Sequence, residues 1–389
     1  MSVLALEPRT ACRRATLQVD LAAVTANVRT IKSRTAGEVM AVVKADGFGH
    51  GQVDVARAAL AGGATRFGVT SIDEALPLRA AGLTEQVLSW LNPVDADFGT
   101  ALQQNIDLGV PGLGHLRAII RGAPGARIHL QLDTGLGRDG AEPAEWDRLC
   151  RAARDAERRG QVRVVGIMGH LPCADQPGHP ANAVGRDRFV WGVSVARAAG
   201  LRPADRHLAA TAATLSDPLA HHTMSRVGAG LVGIDESGTV RLRPALTLTA
   251  PLVTVRSVPA GTPVGYGHTW TTPRPTRLGL IPVGYADGLP RLASHRAEVW
   301  VGGARRPVVG RISMDMAVVD LGPDLGPDLG DTATADTLAP PVTAGDTVTV
   351  FGPGDHGEPT VADWARWAAT LEHEIVTGLS ARLQRRSAP

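Results

Sequence analysis

The chain has 389 residues, and its 40 Lys+Arg against 38 Asp+Glu leave a net charge of only +2. Phosphate neutralisation needs several cations on one face and base stacking needs aromatic platforms, so near-neutral charge and 4% aromatic residues exclude nucleic acid as the main partner. A hydrophobic fraction of 44% suits a folded protein with a large core; with no apolar run of about 18 residues and no leader pattern, a cytoplasmic protein without a membrane span is expected.

In chain order, residues 1–14 read as a disordered start. TLQVD then reads as a short strand ending at Asp20, and the apolar spacing of Leu21, Val24, Val28 and Ile31 predicts a helix with Asp20 as its N-cap. The β-branched run EVMAVVKA predicts a strand, followed by the loop DGFGHG and the helix VDVARAALAGG, which stops at glycines. Strand and helix patterns go on alternating through RFGVT, EQVLSWL, IDLGV, RIHLQLD, VRVVGIMGHL and DRHLAATAATL to the glycine-rich SRVGAGLVG. About eight such units predict an α/β fold, a closed (β/α)8 TIM-type barrel over residues 15–245 with its active site where strands end and loops begin. On pattern alone a doubly wound open sheet stays open, although no GxGxxG opens a helix after the first strand.

From residue 246 to 389 the texture changes. LTLTAPLVTVRSV, TRLGLIPVGYADG, AEVWVGG, RRPVVGRISMDMAVVDL and DTVTVFG alternate apolar and polar residues between turns, which predicts a C-terminal all-β domain. Segment 322–341, with its tandem GPDL, is expected to be a flexible insertion, and TVADWARWAATLEHEIVTGLSARL to be one closing helix. Cys12, Cys150 and Cys173 are odd in number and far apart, so neither a disulfide framework nor a CxxC metal site is expected.

Only Lys32 and Lys44 are lysines; every other cation is arginine, which reads as a compositional bias. Lys44 ends an apolar strand, so its ammonium would emerge at the catalytic rim of a barrel, where desolvation can free an amine to form a Schiff base. On position alone, a lysine snorkelling from a strand end is the commoner reading.

VVKADGFGHG resembles the pyridoxal-phosphate (PLP) lysine motif of the alanine racemases, usually written with Tyr where this chain has Phe48. LDTGLGRDG, GIMGHL, HLAATAA, SRVGAGLVG, VGYGHTW, VGYADGLPR, GRISMDM and TLEHEIVTGLSARL follow in the family's order. The resemblance implies a fold-type-III, PLP-dependent amino-acid racemase, an isomerase interconverting L- and D-alanine for D-alanine biosynthesis. It also implies a head-to-tail homodimer whose sites combine both chains, with Lys44 holding pyridoxal 5'-phosphate. Lys44 and Tyr266 of the partner subunit would then serve opposite faces of the substrate's Cα, since inversion needs one group to remove the proton and another to return it. PLP supplies the electron sink.

The same resemblance implies that Arg226 faces the pyridine nitrogen, where a guanidinium disfavours protonation, with His170 beside the ring. Thr211 and the backbone amides of Gly228 and Ala229 would take the phosphate. Arg138 and the Met314 amide would meet the substrate carboxylate, Asp315 would support them and Tyr285 would line the pocket; no metal is implied. Read singly, these are ordinary residues: packed tyrosines, a surface arginine, a structural histidine, a tight GAG turn, a loop arginine, a buried methionine and a turn aspartate.

Three positions break the family's pattern. Phe48 and Ala381 each replace a tyrosine, and losing two hydroxyl donors at about 0.5–3 kcal/mol each predicts weaker PLP retention. Gln131 replaces a commonly carbamylated lysine, so Arg138 needs another partner, such as a bound chloride. A small residue at 381 also predicts a roomier pocket, hence a second reading, a broader-specificity racemase acting on a larger substrate. Two more readings stay open: a decarboxylase or aldolase-type enzyme on the same scaffold, and a non-catalytic PLP-dependent protein that captures an amino acid or alanine mimic. Related decarboxylases use a cysteine of the C-terminal domain, and all three cysteines here precede residue 174. The retained Lys44 and Tyr266 pair argues against capture.

Overall fold

The computed structural model describes residues 14–323 and 342–388. Apart from Arg14, Gly322 and Pro323, the expected disordered start and the expected insertion lie outside the described residues. The chain divides into two units. One is Leu21–Arg243; the other joins β1 (Thr16–Asp20) to the residues from Pro244 onward.

Eight parallel strands form the first unit. They are β2 (Glu38–Val42), β3 (Arg66–Val69), β4 (Gln86–Ser89), β5 (Ile106–Val110), β6 (Ala126–Gln131), β7 (Val162–Met168), β8 (Asp205–His207) and β9 (Met224–Val227), in the sheet order β8-β7-β6-β5-β4-β3-β2-β9. Hydrogen bonds bring the two ends of that order together: Thr223 N–H donates to Arg206 O at 3.1 Å and Arg226 N–H to Ala209 O at 3.0 Å. The result is a nearly closed barrel. Met40, Leu88, Met168 and Met224, from strands on different sides of the ring, meet with Trp90 to fill its interior. Helices cover the outside, so the strands are buried on both faces, which is why they read as apolar runs.

TLQVD, expected inside the barrel, pairs instead in the second unit. β1 runs antiparallel to β10 (Leu246–Pro251) and parallel to β19 (Gln384–Ala388). Its buried Leu17 and Val19 flank an exposed Gln18, a pattern suited to a sheet with one wet face. The remaining strands are β11 (Thr254–Val258), β12 (Pro263–Val264), β13 (Trp270–Thr271), β14 (Thr276–Ile281), β15 (Glu298–Val301), β16 (Ala304–Val309), β17 (Ala317–Gly322) and β18 (Thr347–Phe351). Nine of the strands form one sheet in the order β11-β14-β17-β16-β15-β18-β10-β1-β19, while β12 and β13 make a short hairpin.

The expected single closing helix is two. A capping box between Thr360 and Asp363 starts Val361–Trp367; a second helix covers Glu372–Thr377. Between them Ala369 takes a φ of 53°, outside the right-handed helical region, and the chain finishes as the strand β19. Among the described residues no helix is long and apolar enough to cross a membrane.

Candidate active site

Lys44 lies two residues beyond Val42, the C-terminal end of β2, and is half-buried. Burial pushes its ammonium below the usual lysine range, Arg138 adds to that effect, and Glu74 opposes it. The segment after it is unusual. Ala45, Asp46, Gly47 and Phe48 all have positive φ, between 50° and 62°, making a left-handed turn. Only glycine enters that region without cost; other residues lose about 1–2 kcal/mol each. Local hydrogen bonds hold the turn in place. Ala45 N–H donates to Glu74 Oε1 at 2.8 Å, Gln52 N–H to Asp46 Oδ1 at 2.9 Å, and Gln52 Nε2 to Val43 O at 3.2 Å and Glu74 O at 2.8 Å. Strain kept up by its surroundings beside a half-buried lysine is a mark of a functional site.

Four further loops follow barrel strands of the same direction, and so lie at the same rim as Lys44. After β6, the Asp133 carboxylate accepts the N–H groups of Gly135, Leu136 and Gly137 and shapes the loop that presents Arg138. After β7 stands His170. Thr134 ties the two loops together, its hydroxyl donating to His170 O at 2.6 Å and accepting His170 N–H at 3.0 Å. Burial, reinforced by the charges of Arg226, Arg138 and Lys44, pushes His170 down to about 3, so its imidazole is neutral.

Arg226, on β9, is only 4% exposed. Its Nη1 donates to His207 O at 2.7 Å and to His207 Nδ1 at 3.1 Å. Its Nη2 donates to Gly169 O at 2.7 Å, Leu208 O at 3.3 Å and His170 Nδ1 at 3.2 Å. Burial, with the charge of Arg138, pushes it down to about 10, still a cation at neutral pH. Its Nε–H has no acceptor among the described residues.

After β9, Gly228 precedes a 3-10 turn that opens at Ala229, and after β8, Thr211 opens the helix Thr211–Ser216. The Thr211 hydroxyl oxygen accepts the N–H groups of Gly228 and Gly230, both at 3.2 Å. Glycine at 228 is a requirement of close packing: a Cβ there would lie 2.6 Å from Cζ of Phe48. The buried Phe48 ring therefore ends against this loop, at the atom where a tyrosine would carry its hydroxyl. Gln131 is buried at the end of β6; its Nε2 donates to Asp139 Oδ2 at 3.2 Å, and its Oε1 has no partner among the described residues.

Tyr266, Tyr285, Met314 and Asp315 belong to the other unit. Tyr266 sits in the turn between β12 and β13 and is 72% exposed. Tyr285 and Met314 lie on touching segments, where Tyr285 N–H donates to Ser313 O at 3.0 Å and Ala286 N–H to Met314 O at 2.9 Å. The Met314 side chain is exposed, not the buried methionine of the ordinary reading. Asp315 accepts Arg382 Nη2 at 2.7 Å, which brings Ala381 into the same neighbourhood. Ser380 N–H also donates to Asp287 O.

Sequence reasoning missed Glu74 and Gln52, which hold the turn after Lys44, and His207, His129 and Asp107, which lie behind Arg226. His129 and His207 stand inside RIHLQLD and HLAATAA, and a charge in the apolar strand IDLGV was the available signal for Asp107.

The alanine racemase N-terminal domain family matches residues 19–236, and the alanine racemase C-terminal domain family matches residues 245–387. An alanine racemase of Frankia casuarinae is 44% identical over 380 residues, 95% of this chain and 94% of that protein. One of Streptomyces coelicolor is 44% identical over 388 residues, 96% and 95% of the two chains. Among solved structures, the alanine racemase of Streptomyces coelicolor A3(2) superposes with a TM-score of 0.90 at 42% identity, covering 97% of this chain and 98% of its own. The alanine racemase of Bartonella henselae, solved with covalently bound pyridoxal phosphate, gives a TM-score of 0.84 at 26% identity over 96% of this chain and 99% of its own. Over both of its units, this chain belongs to the alanine racemase family.

Proposed function

We propose that the protein is a cytoplasmic, PLP-dependent alanine racemase, working as a head-to-tail homodimer by a two-base mechanism. The observation that carries the reading is the barrel rim itself, where half-buried Lys44 shares an electrostatic environment with Arg138, His170 and buried Arg226. The residues fit the cofactor. Lys44 supplies an amine eased toward its neutral form, Thr211 with Gly228 and Ala229 supplies a close-packed backbone cradle for a phosphate, and Arg226 has its Nε–H left to face a ring nitrogen. When bound there, PLP supplies a sink for the electron pair left at the substrate's Cα.

This chain's own residues do the rest. Arg138, at the barrel rim, meets the substrate carboxylate. Lys44 Nζ takes a proton from one face of Cα, and the hydroxyl of Tyr266 of the partner subunit delivers one to the other; the reverse direction exchanges their roles. Arg226, a cation at neutral pH, would disfavour protonation of the ring nitrogen and so restrain side reactions. Gln131 acts through its oxygen: Nε2 donates to Asp139, and the free Oε1 is an acceptor, which suits the Arg138 guanidinium.

A broader substrate range is favoured by one observation, the small Ala381 beside the Arg382 to Asp315 ion pair in the substrate-facing set. The test of the main reading is to incubate PLP-loaded protein with single L-amino acids in deuterated water and follow chirality and deuterium at Cα. Exchange with inversion is expected for alanine. Exchange without inversion would leave one active base, and binding without exchange would point to capture.

A further inference from the structure

Behind Arg226 a chain of buried side chains crosses the barrel. His207 Nδ1 accepts from Arg226 Nη1 at 3.1 Å, His207 Nε2 lies 2.9 Å from His129 Nδ1, and His129 Nε2 lies 3.3 Å from Asp107 Oδ2. Asp107, near the opposite end of the strands, also accepts Arg127 Nε at 2.8 Å and Nη2 at 3.2 Å. All four members are buried, and the two imidazoles meet edge to face at 74°.

The ends of this chain determine its middle. A guanidinium only donates, so His207 must accept at Nδ1 and carry its proton on Nε2. His129 must then accept at Nδ1, carry its proton on Nε2, and donate to a carboxylate that only accepts. Every bond points from Arg226 toward Asp107, and such a series polarises along its length. Burial works against the Asp107 carboxylate, but hydrogen bonds from His129 and Arg127 hold it below the usual range, so the negative end persists. Burial and the charge of Arg226 push His207 well below the usual histidine range, so that link stays neutral.

The contact exists because of one glycine. His129 on β6 and His207 on β8 are separated by β7, where Gly166 is in register with His129. A Cβ on Gly166 would lie 1.9 Å from His129 Nδ1. Any side chain there would occupy the space through which the imidazole reaches across.

We propose that Asp107, His129 and Gly166 are positioning residues for Arg226: through His207 they anchor the guanidinium's orientation and balance its buried charge, and thereby set how strictly the enzyme racemises. This rests on the reading of Arg226 as the group facing the cofactor nitrogen. None of the three is placed against substrate; their effect passes through Arg226.

The first test needs no cofactor. In [15N]histidine-labelled cofactor-free protein, two-bond proton–nitrogen spectra should show His207 as the neutral Nε2–H tautomer at neutral pH. A Nδ1–H or doubly protonated His207 would overturn the proposal. In PLP-loaded protein, Asp107→Asn should lower kcat for alanine about tenfold with KM little changed, and raise the fraction of turnovers that release pyruvate and leave the amino group on the cofactor. Gly166→Ala clashes with His129 and can fail to fold, so Gly166→Ala/His129→Ala, which removes the clash but not the defect, should show the same rise. Arg226→Lys serves as the control. If it raises the pyruvate fraction and the other variants do not, the positioning role is wrong; if Arg226→Lys itself does not, the reading of Arg226 is wrong.

Discussion

Glu74 Oε1 accepts the N–H of Ala45 at 2.8 Å, fastening the first residue after Lys44 to the helix Ile72–Ala80. The same carboxylate accepts Thr70 N–H at 2.8 Å and the Thr70 hydroxyl at 2.6 Å. Burial works against the charge, yet these bonds hold Glu74 below the usual glutamate range. A carboxylate with a depressed pKa contributes stability that is complete above the ordinary glutamate pKa and is lost as pH falls through the native one. Glu74→Gln should therefore cost about 1–3 kcal/mol at neutral pH and flatten the acid side of the stability–pH curve, measured by urea unfolding from pH 3 to 8. Because Glu74 favours the Lys44 ammonium, the variant should also lower the pH at which Lys44 titrates.

Phe48 ends against Gly228 at the carbon where tyrosine bears its hydroxyl. Phe48→Tyr should add a donor at the phosphate cradle and slow PLP release by about three- to tenfold, the equivalent of about 0.6–1.4 kcal/mol. Competition by apo-enzyme capture of released PLP measures it. An unchanged rate would separate this position from cofactor retention.

Gly228→Ala places a methyl 2.6 Å from Phe48 Cζ, so either the ring or the loop must shift. Overpacking of this kind costs about 1–3 kcal/mol. The expected outcome is a lower melting temperature and weaker PLP binding; pairing it with Phe48→Ala should recover stability in a double-mutant cycle.

Ala381→Tyr should narrow the pocket. The ratio of kcat/KM for alanine over a larger amino acid such as leucine should rise several-fold, since pocket discrimination of this kind is worth about 1–3 kcal/mol. A ratio that does not move would place residue 381 outside the specificity set.

Lys44→Ala and Tyr266→Phe should each be nearly inactive alone. If each site takes Tyr266 from the partner subunit, mixing the two variants through a denaturation and refolding cycle should restore about a quarter of wild-type activity, because half the dimers are mixed and each has one complete site of two. Failure to complement would assign both residues to the same chain's site.

Most of the barrel was legible because parallel strands covered on both faces appear as apolar runs. The placement of β1 was not, since alternation in TLQVD shows that one face is wet but not that its partners are β10 and β19, far along the chain. The break in the closing helix was equally hidden, because nothing in TVADWARWAATLEHEIVTG marks Ala369 as the residue that turns out of the helix. Motif order also named Lys44, His170, Thr211 and Arg226, which stand at or just beyond the C-terminal ends of barrel strands. The left-handed turn was invisible, for Ala45 and Phe48 are not residues that ask for positive φ. The His207, His129 and Asp107 chain was hidden for another reason: its members sit on three strands, and their contact depends on a glycine in a fourth.

Only two side chains in the whole sequence can form an imine, Lys32 and Lys44. Lys32 Nζ donates to Gly37 O at 2.8 Å, whereas Lys44 stands at the barrel rim. Borohydride reduction of PLP-loaded protein followed by peptide mass spectrometry therefore identifies the lysine that carries the cofactor. The phosphopyridoxyl group is predicted on the peptide containing Lys44 alone; finding it on Lys32, or on neither lysine of a protein that retains PLP, would rule out Lys44 as the residue that holds the cofactor.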